Sequence, residues 1–272
     1  VKVSQNKFFF EPVSEILAFH VDRALGFRRI PPTVYVPIPV DYLRAASGLL
    51  GPFYTQWFDR FVPKYDLTKD NFVTVADQEC ANVTIQLWMA DVHSALNSYL
   101  ALNYDADDYF FKKFYDPDDK KHKWPPHAHR LTALGDVSDR FIFDYIIGNT
   151  DRGMNDHNNF VYGGCDDQTA CHVPREEWRR TYGPAAYAFL DHGSSFHSHK
   201  EPEENPLSSN MSDIKMCRYR RSTFAALGEY RRTPEQAENG ERPLYDSVRP
   251  LLPKGVFKVV RKSVFKKIQD RV

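Results

Sequence analysis

The sequence predicts an α+β fold in two lobes, with a small strand-rich N-lobe followed by a larger helical C-lobe. Short β-branched runs bounded by Pro, Asn or Asp are concentrated in the first 88 residues, whereas apolar side chains at helical spacing dominate after them. A chain of 272 residues is long enough for two lobes that share a cleft. We place the domain boundary between an N-lobe at residues 1–89 and a C-lobe at residues 90–272.

The individual elements are predicted from the same patterns. Runs rich in β-branched and apolar side chains predict strands at residues 33–40, 72–75, 83–88, 160–162 and 185–190. Apolar side chains at helical spacing predict helices at residues 11–25, 90–102 and 137–147, and in most of the chain after residue 212. Prolines make the strand at 33–40 an edge strand, and the irregular segment 41–69 is expected to hold one helix.

The composition limits the classes of partner. Lysine plus arginine and aspartate plus glutamate number 36 each, so the net charge indicates neither nucleic acid nor a membrane surface. No run of about 18 apolar residues is present, so we expect no membrane span in this chain. The chain begins at Val1 without a Met and shows no glycine-rich phosphate loop, so we expect the N-lobe to be truncated.

Cysteines and glycosylation sequons suggest the compartment. The four cysteines are Cys80, Cys165, Cys171 and Cys217. An even count permits two disulfide bonds in three connectivities, and a bond between Cys165 and Cys171 would close a short polar loop. Asn82-Val-Thr and Asn210-Met-Ser match the glycosylation sequon. Together these features favour a disulfide-bonded glycoprotein of the secretory pathway.

Two aspartates lie directly after predicted secondary-structure elements, in positions that are typical of catalytic or metal-binding carboxylates. Asp151 follows the buried helix directly, on a loop dense in Gly and Asn, and Asp191 follows an apolar strand and precedes Gly193. Each alone would be interpreted as a turn or capping aspartate. In this order and in these contexts, they match a phosphoryl-transfer site, which needs one carboxylate to orient the attacking hydroxyl and another to hold a divalent metal on the phosphates.

Four blocks of the sequence resemble the four-jointed and Golgi casein kinase family of secretory-pathway kinases. They are Glu15-Ile-Leu-Ala-Phe-His-Val-Asp-Arg-Ala-Leu-Gly-Phe-Arg-Arg-Ile-Pro-Pro32, Phe143-Asp-Tyr-Ile-Ile-Gly-Asn-Thr-Asp-Arg152, Leu190-Asp-His-Gly193 and Cys217-Arg-Tyr-Arg-Arg-Ser-Thr223. The second block is also similar to the catalytic loop of type II phosphatidylinositol 4-kinases. The first and last blocks favour the secretory family. The resemblance implies a two-lobed protein-kinase-like fold.

The resemblance also implies roles for individual residues. Asp151 would be the catalytic aspartate, and Asp191 would bind Mn²⁺ or Mg²⁺. Glu15 would support the phosphate-binding lysine and reach toward the metal. Lys2, in Val-Lys-Val, is the only upstream candidate for that lysine in a strand context. The hinge whose backbone meets the adenine of ATP would be Trp88, Met89 and Ala90.

A second metal ligand is expected a few residues after the catalytic aspartate. Asn155, Asp156, Asn158 and Asn159 compete for this role. We favour Asn158 or Asn159, because either would lie just before the strand that begins at Phe160. His192 is expected to pack in place of an apolar or amide residue.

The predicted function is ATP-dependent phosphoryl transfer to Ser or Thr hydroxyls of secreted proteins, in the Golgi lumen or after secretion. Three alternatives stay open: a kinase for a glycan such as xylose, a pseudokinase that acts as an allosteric partner or binding module, and a lipid kinase. Asp151 and Asp191 are 40 positions apart, which is longer than the usual spacing and leaves room for an inactive member. A dimer partner is compatible with each of these functions.

Overall fold

A computed structural model describes residues 1–6, 8–62, 72–89, 92–95, 130–152, 158–162, 186–196, 201–202, 205–209, 219–254, 256 and 262–272. Within these residues, small antiparallel sheets combine with helices, and the α+β class is confirmed. No helix in the described ranges is both long and apolar enough to cross a bilayer.

The first sheet and its helices lie in the first 86 residues. The elements are α1 (Glu11–Ala24), β1 (Thr33–Pro39), α2 (Val40–Leu49), α3 (Pro52–Phe61), β2 (Phe72–Val75) and β3 (Gln78–Gln86). The strand order is β1-β3-β2 with antiparallel pairing, and Val36 lies opposite Val83. The proline-bearing strand β1 is at the edge, as predicted, because proline has no N–H for a second neighbour.

The second sheet and most of the helices follow. These elements are β4 (Val92–Ser94), α4 (Arg130–Ile147), β5 (Phe160–Tyr162), β6 (Ala186–Ala188), α5 (Arg221–Tyr230), α6 (Pro234–Glu238), α7 (Pro243–Val248), a 3₁₀ turn (Arg249–Leu251) and α8 (Lys262–Asp270). The sheet order is β4-β5-β6, again antiparallel. The two sheets therefore fall on either side of residue 89, and the position of the domain boundary stays a prediction.

Two local predictions were wrong. Residues 92–94 form a strand inside the segment 90–102 that was predicted as a helix, because His93 pairs with Val161 of the distant strand β5. The long-range pairing overrides the local apolar spacing. Segment 41–69 contains two helices, α2 and α3, where one was expected. Gly51, with φ of 117°, and Pro52 separate them.

Helix α1 is the central element of the core. Pro12 stands in its first turn, where the missing N–H has no intrahelical partner to lose. Its buried apolar side chains include Val13, Leu17 and Val21, whose spacing places them on one face. The helix contacts β1 and β3 on one side and α7 on another. It thereby joins the first sheet to the helices near the end of the chain.

Buried charges fix the loop that follows α1. The carboxylate of Asp22 accepts hydrogen bonds from the backbone N–H of Arg29 at 2.9 Å and from Arg23 Nη1 at 2.9 Å. Arg29 Nη2 then donates to Asp136 of α4 at 2.5 Å. Arg220 donates to the same carboxylate from the position before α5. Arg29 belongs to the first of the four sequence blocks and Arg220 to the last, so these two blocks both contact Asp136 of α4.

The cysteines and glycosylation sequons, which suggested the secretory pathway, receive little support from the described residues. Cys80 is a buried free thiol, so the arrangement with two disulfide bonds does not occur here. Cys165, Cys171 and Cys217 lie outside the described residues. Asn82 is only 7% exposed within β3, which does not fit a glycan at the first sequon. The second sequon, at Asn210, lies outside the described residues.

We predict that Asp22→Ala lowers the free energy of unfolding by about 2–4 kcal/mol, because two donors to a buried carboxylate lose their acceptor. The matched control is Asp59→Ala, which removes an exposed ion pair with Arg44 at 2.7 Å and should cost less than about 1 kcal/mol. Urea unfolding monitored by circular dichroism measures both changes. Equal losses in the two variants would contradict the structural role of Asp22.

Candidate active site

Lys2 is the cation of the site. Its backbone N–H and C=O pair with Thr84 of β3, at 2.8 and 3.1 Å. Its Nζ contacts Glu11 Oε1 at 2.5 Å and Asp191 Oδ1 at 2.9 Å. Burial opposes its charge, but the carboxylates outweigh burial and raise the pKa of Lys2, so the ammonium stays charged. Lys2 therefore contacts the aspartate that is predicted to bind the metal, and its role as the phosphate-binding lysine stays a prediction.

The carboxylate of α1 in direct contact with this lysine is Glu11. Glu15 adds its charge, which also raises the pKa of Lys2, and its role in supporting the lysine stays a prediction. Glu11 lies in the first turn of α1, one turn before Glu15. Residues four apart share a helix face, so both point toward the same loop. Glu11 lies against Lys2, and its second oxygen accepts from Gln5 Nε2 at 3.3 Å.

Glu15 instead binds His192. Its Oε1 accepts from the backbone N–H of His192 at 2.7 Å, and its Oε2 lies 2.9 Å from His192 Nδ1. Both residues are almost fully buried. Burial opposes the charge of Glu15, but the imidazole and the N–H of His192 hold the pKa of Glu15 below its usual value. The carboxylate thus anchors the loop at Asp191, and both of its oxygens are already engaged.

Asp191 follows β6 in a constrained backbone conformation. Its φ is 58°, a region that residues other than glycine rarely adopt. About a third of its side chain is exposed. Burial would raise the pKa of Asp191, but Lys2 overrides it and the pKa is lowered, so the carboxylate is ionised at neutral pH. Such strain is often found at functional sites.

Gly193 permits the close approach of α1 to this loop. A Cβ at this position would lie 3.0 Å from Glu11 Cγ. A larger residue would therefore require a shift of the Glu11 side chain, which contacts Lys2. Gly193 is therefore explained by its close packing against Glu11.

Asp151 lies on the loop that follows α4 and is exposed. Its backbone N–H donates to Asn149 Oδ1 at 3.1 Å, and its Oδ2 accepts from Asn158 Nδ2 at 2.9 Å. Asn158 has φ of 55°, a second left-handed residue of the site. The structure therefore brings Asn158 to Asp151, whereas the neighbouring Asn159 is buried beneath the loop surface.

Arg152 connects the two carboxylate loops, and the sequence analysis assigned it no role. Its Nη2 donates to the carbonyl oxygens of Leu190 and, at 3.3 Å, of Asp191. Its Nη1 lies 3.5 Å from Asp144 Oδ1. Arg140 Nη2 donates to the carbonyl of Arg152 at 2.9 Å. A usable signal was present, because Arg140 and Asp144 are opposite charges four residues apart in a helix that the sequence predicts to be buried.

The predicted hinge is partly described. Trp88 is 87% exposed and Met89 is half-buried, in the connection between β3 and β4. Ala90 lies outside the described residues. The backbone N–H of Leu87 donates to Pro32 O at 2.9 Å, which fixes the start of the connection. A role of these residues toward adenine stays a prediction.

The donor set fits a hard divalent cation that arrives with phosphates. Within the described ranges, no group of three or more His, Cys, Asp or Glu side chains could hold a metal alone. Asp191 and Glu11 supply two carboxylates around one ammonium group. Mg²⁺ is commonly held by one or two carboxylates plus substrate phosphates, so a small set of this kind suffices.

Comparisons with known proteins were made for the sequence and for the structure. No protein-family model matches the sequence, and no curated protein matches it. The chain is similar in structure to a crystal structure of the Golgi casein kinase, at 20% identity and a TM-score of 0.49, over 96% of this chain and 59% of that chain. The corresponding values for the Golgi casein kinase with Mn and ADP bound are 18%, 0.49, 96% and 58%.

A third structure, hydra Fam20 with sugar, gives 18% identity, a TM-score of 0.47 and coverage of 96% of this chain and 68% of that chain. The chain spans about three fifths of the length of the two Golgi casein kinase chains.

We predict that His192→Leu lowers the free energy of unfolding at pH 7 by about 3–5 kcal/mol, because Glu15 keeps a buried charge without its partner. In the wild type, the lowered pKa of Glu15 gives stability that is present above pH 4.5 and lost as the pH falls further. In the variant, the pKa of Glu15 rises and acid relieves the buried charge. The difference between the two proteins should therefore shrink below about pH 5.

Urea unfolding at a series of pH values measures this difference. The control is Glu15→Gln combined with His192→Leu, which removes the charge but keeps an acceptor for the N–H of residue 192. It should recover part of the lost stability at pH 7. A His192→Leu variant as stable as the wild type at pH 7 would refute the importance of the pair.

Proposed function

We propose that the protein is an ATP-dependent phosphotransferase that uses Mn²⁺ or Mg²⁺ and transfers a phosphoryl group to a hydroxyl. One observation carries the proposal: Lys2 Nζ lies between a helix glutamate, Glu11, and a loop aspartate, Asp191. Phosphoryl transfer needs a cation and a metal-binding carboxylate beside the phosphates, together with a carboxylate to orient the nucleophile. Asp151, on the adjoining loop, supplies the last of these.

Each residue then has a distinct task. Asp191 and Glu11 would hold the metal, with Asn158 as a further oxygen donor, and the metal would neutralise charge on the phosphates. Lys2 would exchange part of its carboxylate contacts for the phosphate oxygens. Asp151 would accept a hydrogen bond from the acceptor hydroxyl and take its proton as the new bond to phosphorus forms, while the bond from that phosphorus to the bridging oxygen breaks and ADP leaves. Asn158 already orients the carboxylate of Asp151.

The acceptor is proposed to be a Ser or Thr hydroxyl of a secreted protein, in the Golgi lumen or after secretion. This rests on the four sequence blocks that resemble secretory kinases. The exposed position of Asp151 supports a large acceptor, because a protein chain can reach it without entering a closed cavity. A glycan hydroxyl is equally accessible, so the test includes both acceptors.

We predict that the protein with ATP and Mn²⁺ labels dephosphorylated casein. Asp151→Asn should reduce the rate by about 100-fold or more, because proton transfer to a positioned base contributes this much. Asp191→Asn should abolish detectable transfer. The control Asp59→Asn changes an exposed residue of α3 and should leave the rate unchanged. Transfer of radiolabelled phosphate from ATP measures all four proteins.

The same assay distinguishes the alternatives. A xylose-containing glycan primer that is labelled in place of casein would assign a glycan kinase. Thermal stabilisation by ATP and Mn²⁺ that Asp191→Asn removes, without transfer to either acceptor, would assign a pseudokinase. Transfer that survives Asp191→Asn would contradict the site, and a phosphoinositide product would indicate a lipid kinase.

We also predict that Glu11→Gln lowers kcat/KM for ATP by about tenfold, which corresponds to about 1.4 kcal/mol. The amide cannot hold the charge of Lys2 or contribute a full anionic ligand to the metal. Glu79→Gln, an exposed change on β3, is the control. An unchanged kcat/KM in Glu11→Gln would mean that Glu11 plays no part in nucleotide binding.

A further inference from the structure

The loop that carries Asp151 begins at the end of α4, only four residues before that aspartate. The last four carbonyl groups of a helix have no partner within the helix, so other donors must satisfy them. Two are satisfied by the turn itself: the N–H of Asn149 donates to the carbonyl of Asp144 at 2.9 Å, and the N–H of Gly148 donates to the carbonyl of Tyr145 at 3.2 Å. This pair of bonds is the Schellman arrangement.

The other two carbonyls of this helix end are satisfied from distant parts of the chain. The N–H of Phe196, in the loop that follows Asp191, donates to the carbonyl of Ile147 at 3.1 Å. Arg271 Nη1 donates to the carbonyl of Ile146 at 3.4 Å, although the two residues are 125 positions apart. Arg271 differs from the three backbone donors because it also brings a positive charge, which the negative end of the helix dipole favours.

The residues around Arg271 hold it against the turn. Its guanidinium lies over the ring of Tyr145, 5.8 Å from the centroid, and the hydroxyl of Tyr145 donates to Glu201 at 3.1 Å. Burial lowers the pKa of Arg271, whereas the carboxylate of Glu201 opposes that change. Gly148 has φ of 68°, and a Cβ on it would overlap Arg271 Nη1. The backbone conformation and the close approach of Arg271 therefore both require glycine at this turn.

The glycine turn leads directly to Asp151 through hydrogen bonds. Asn149 is buried, its Nδ2 donates to Asp144 Oδ1 at 3.3 Å, and its Oδ1 accepts from the backbone N–H of Asp151 at 3.1 Å. Thr150 donates to the carbonyl of Ser194 through its N–H at 3.3 Å and through its hydroxyl at 3.2 Å. The position of Asp151 is therefore set by contacts that begin at the end of α4.

We propose that Arg271 is a positioning residue for Asp151, an inference that rests on the phosphotransferase function proposed above. Arg271 acts through Gly148 and Asn149, and not on the reacting groups. A general base must lie within hydrogen-bond reach of the proton that it takes. A displacement on the order of 1 Å can lower the rate about 100-fold. The groups proposed to bind ATP and the metal lie on other elements, so loss of Arg271 should lower kcat and leave KM for ATP almost unchanged.

Three variants separate the contact from its surroundings. Arg271→Met keeps a long apolar stem beside Tyr145 but cannot donate to the carbonyl of Ile146. Arg271→Lys keeps a cationic donor and should restore part of the contact. The matched control is Lys266→Met, which removes a cation from an exposed position of α8. Circular dichroism checks that each variant is folded, and Arg271→Gln replaces Arg271→Met if the latter is not.

Hydrogen exchange of the full chain, measured by mass spectrometry on peptides covering residues 146–152, reports on the turn without any ligand. We expect exchange there to be about tenfold faster in Arg271→Met, because a helix end that loses a donor opens more readily. Peptides from β3 should be unchanged, whereas a general loss of stability would accelerate them as well. Arg271→Lys should give an intermediate rate, and Lys266→Met should match the wild type.

The transfer of radiolabelled phosphate from ATP tests the consequence for the reaction. We expect kcat to fall about tenfold in Arg271→Met, with a change of less than about twofold in KM for ATP. Arg271→Lys should recover much of the lost kcat, and Lys266→Met should equal the wild type in both constants.

Two results would overturn the proposal. Equal exchange at residues 146–152 in Arg271→Met and Lys266→Met would show that Arg271 does not fix the turn. Faster exchange with an unchanged kcat would show that the turn does not position Asp151 for the reaction. Failure of the proposed function gives a different result, in which the wild type transfers no phosphate while the difference in exchange remains. That result would remove the role of Arg271 in phosphoryl transfer and keep its contact with the turn.

Discussion

The geometry of the proposed active site depends on the contacts of the buried guanidinium of Arg152. A buried cation is costly unless it is paired and hydrogen-bonded. Arg152 meets this requirement with the carboxylate of Asp144 on one side and the carbonyls of Leu190 and Asp191 on the other. Asp151 directly precedes Arg152. The contacts that satisfy the charge of Arg152 therefore also set the position of the loop at Asp151 relative to the loop at Asp191.

Helix α1 completes this arrangement with two glutamates one turn apart. Glu15 holds the backbone and the imidazole of His192, whereas Glu11 reaches Lys2. The helix therefore acts on the loop at Asp191 in two ways: Glu15 fixes the position of the loop, and Glu11 shares Lys2 with Asp191. A rotation or shift of α1 would change both contacts together, because the two side chains share one rigid face. The hydrophobic core around Val13 and Leu17 opposes such a shift.

Much of this arrangement was predictable from local pattern, and the remainder depends on distant contacts. The strands at 72–75 and 160–162 and the buried helix before Asp151 follow from periodicity. The order of Asp151 and Asp191 indicated a phosphoryl-transfer site, which stays a prediction. Glu11 and Glu15 share a helix face, so only the location of Lys2 distinguishes them. His192 pairs with a residue 177 positions away, and β4 exists because of pairing with β5. Local sequence patterns do not predict contacts between residues so far apart in the chain.

The attachment of Lys2 has a consequence for how nucleotide affinity would be set. Its backbone is joined to β3 at Thr84 by one reciprocal pair of hydrogen bonds, outside the named strands. A short contact of this kind opens locally at a lower free energy than a full strand. When it is open, the ammonium is absent from the site. If the protein binds a nucleotide as proposed, its apparent affinity would then fall in proportion to the closed fraction. The strength of a single backbone pairing would thereby tune ligand binding beside Asp191, with which Lys2 forms an ion pair.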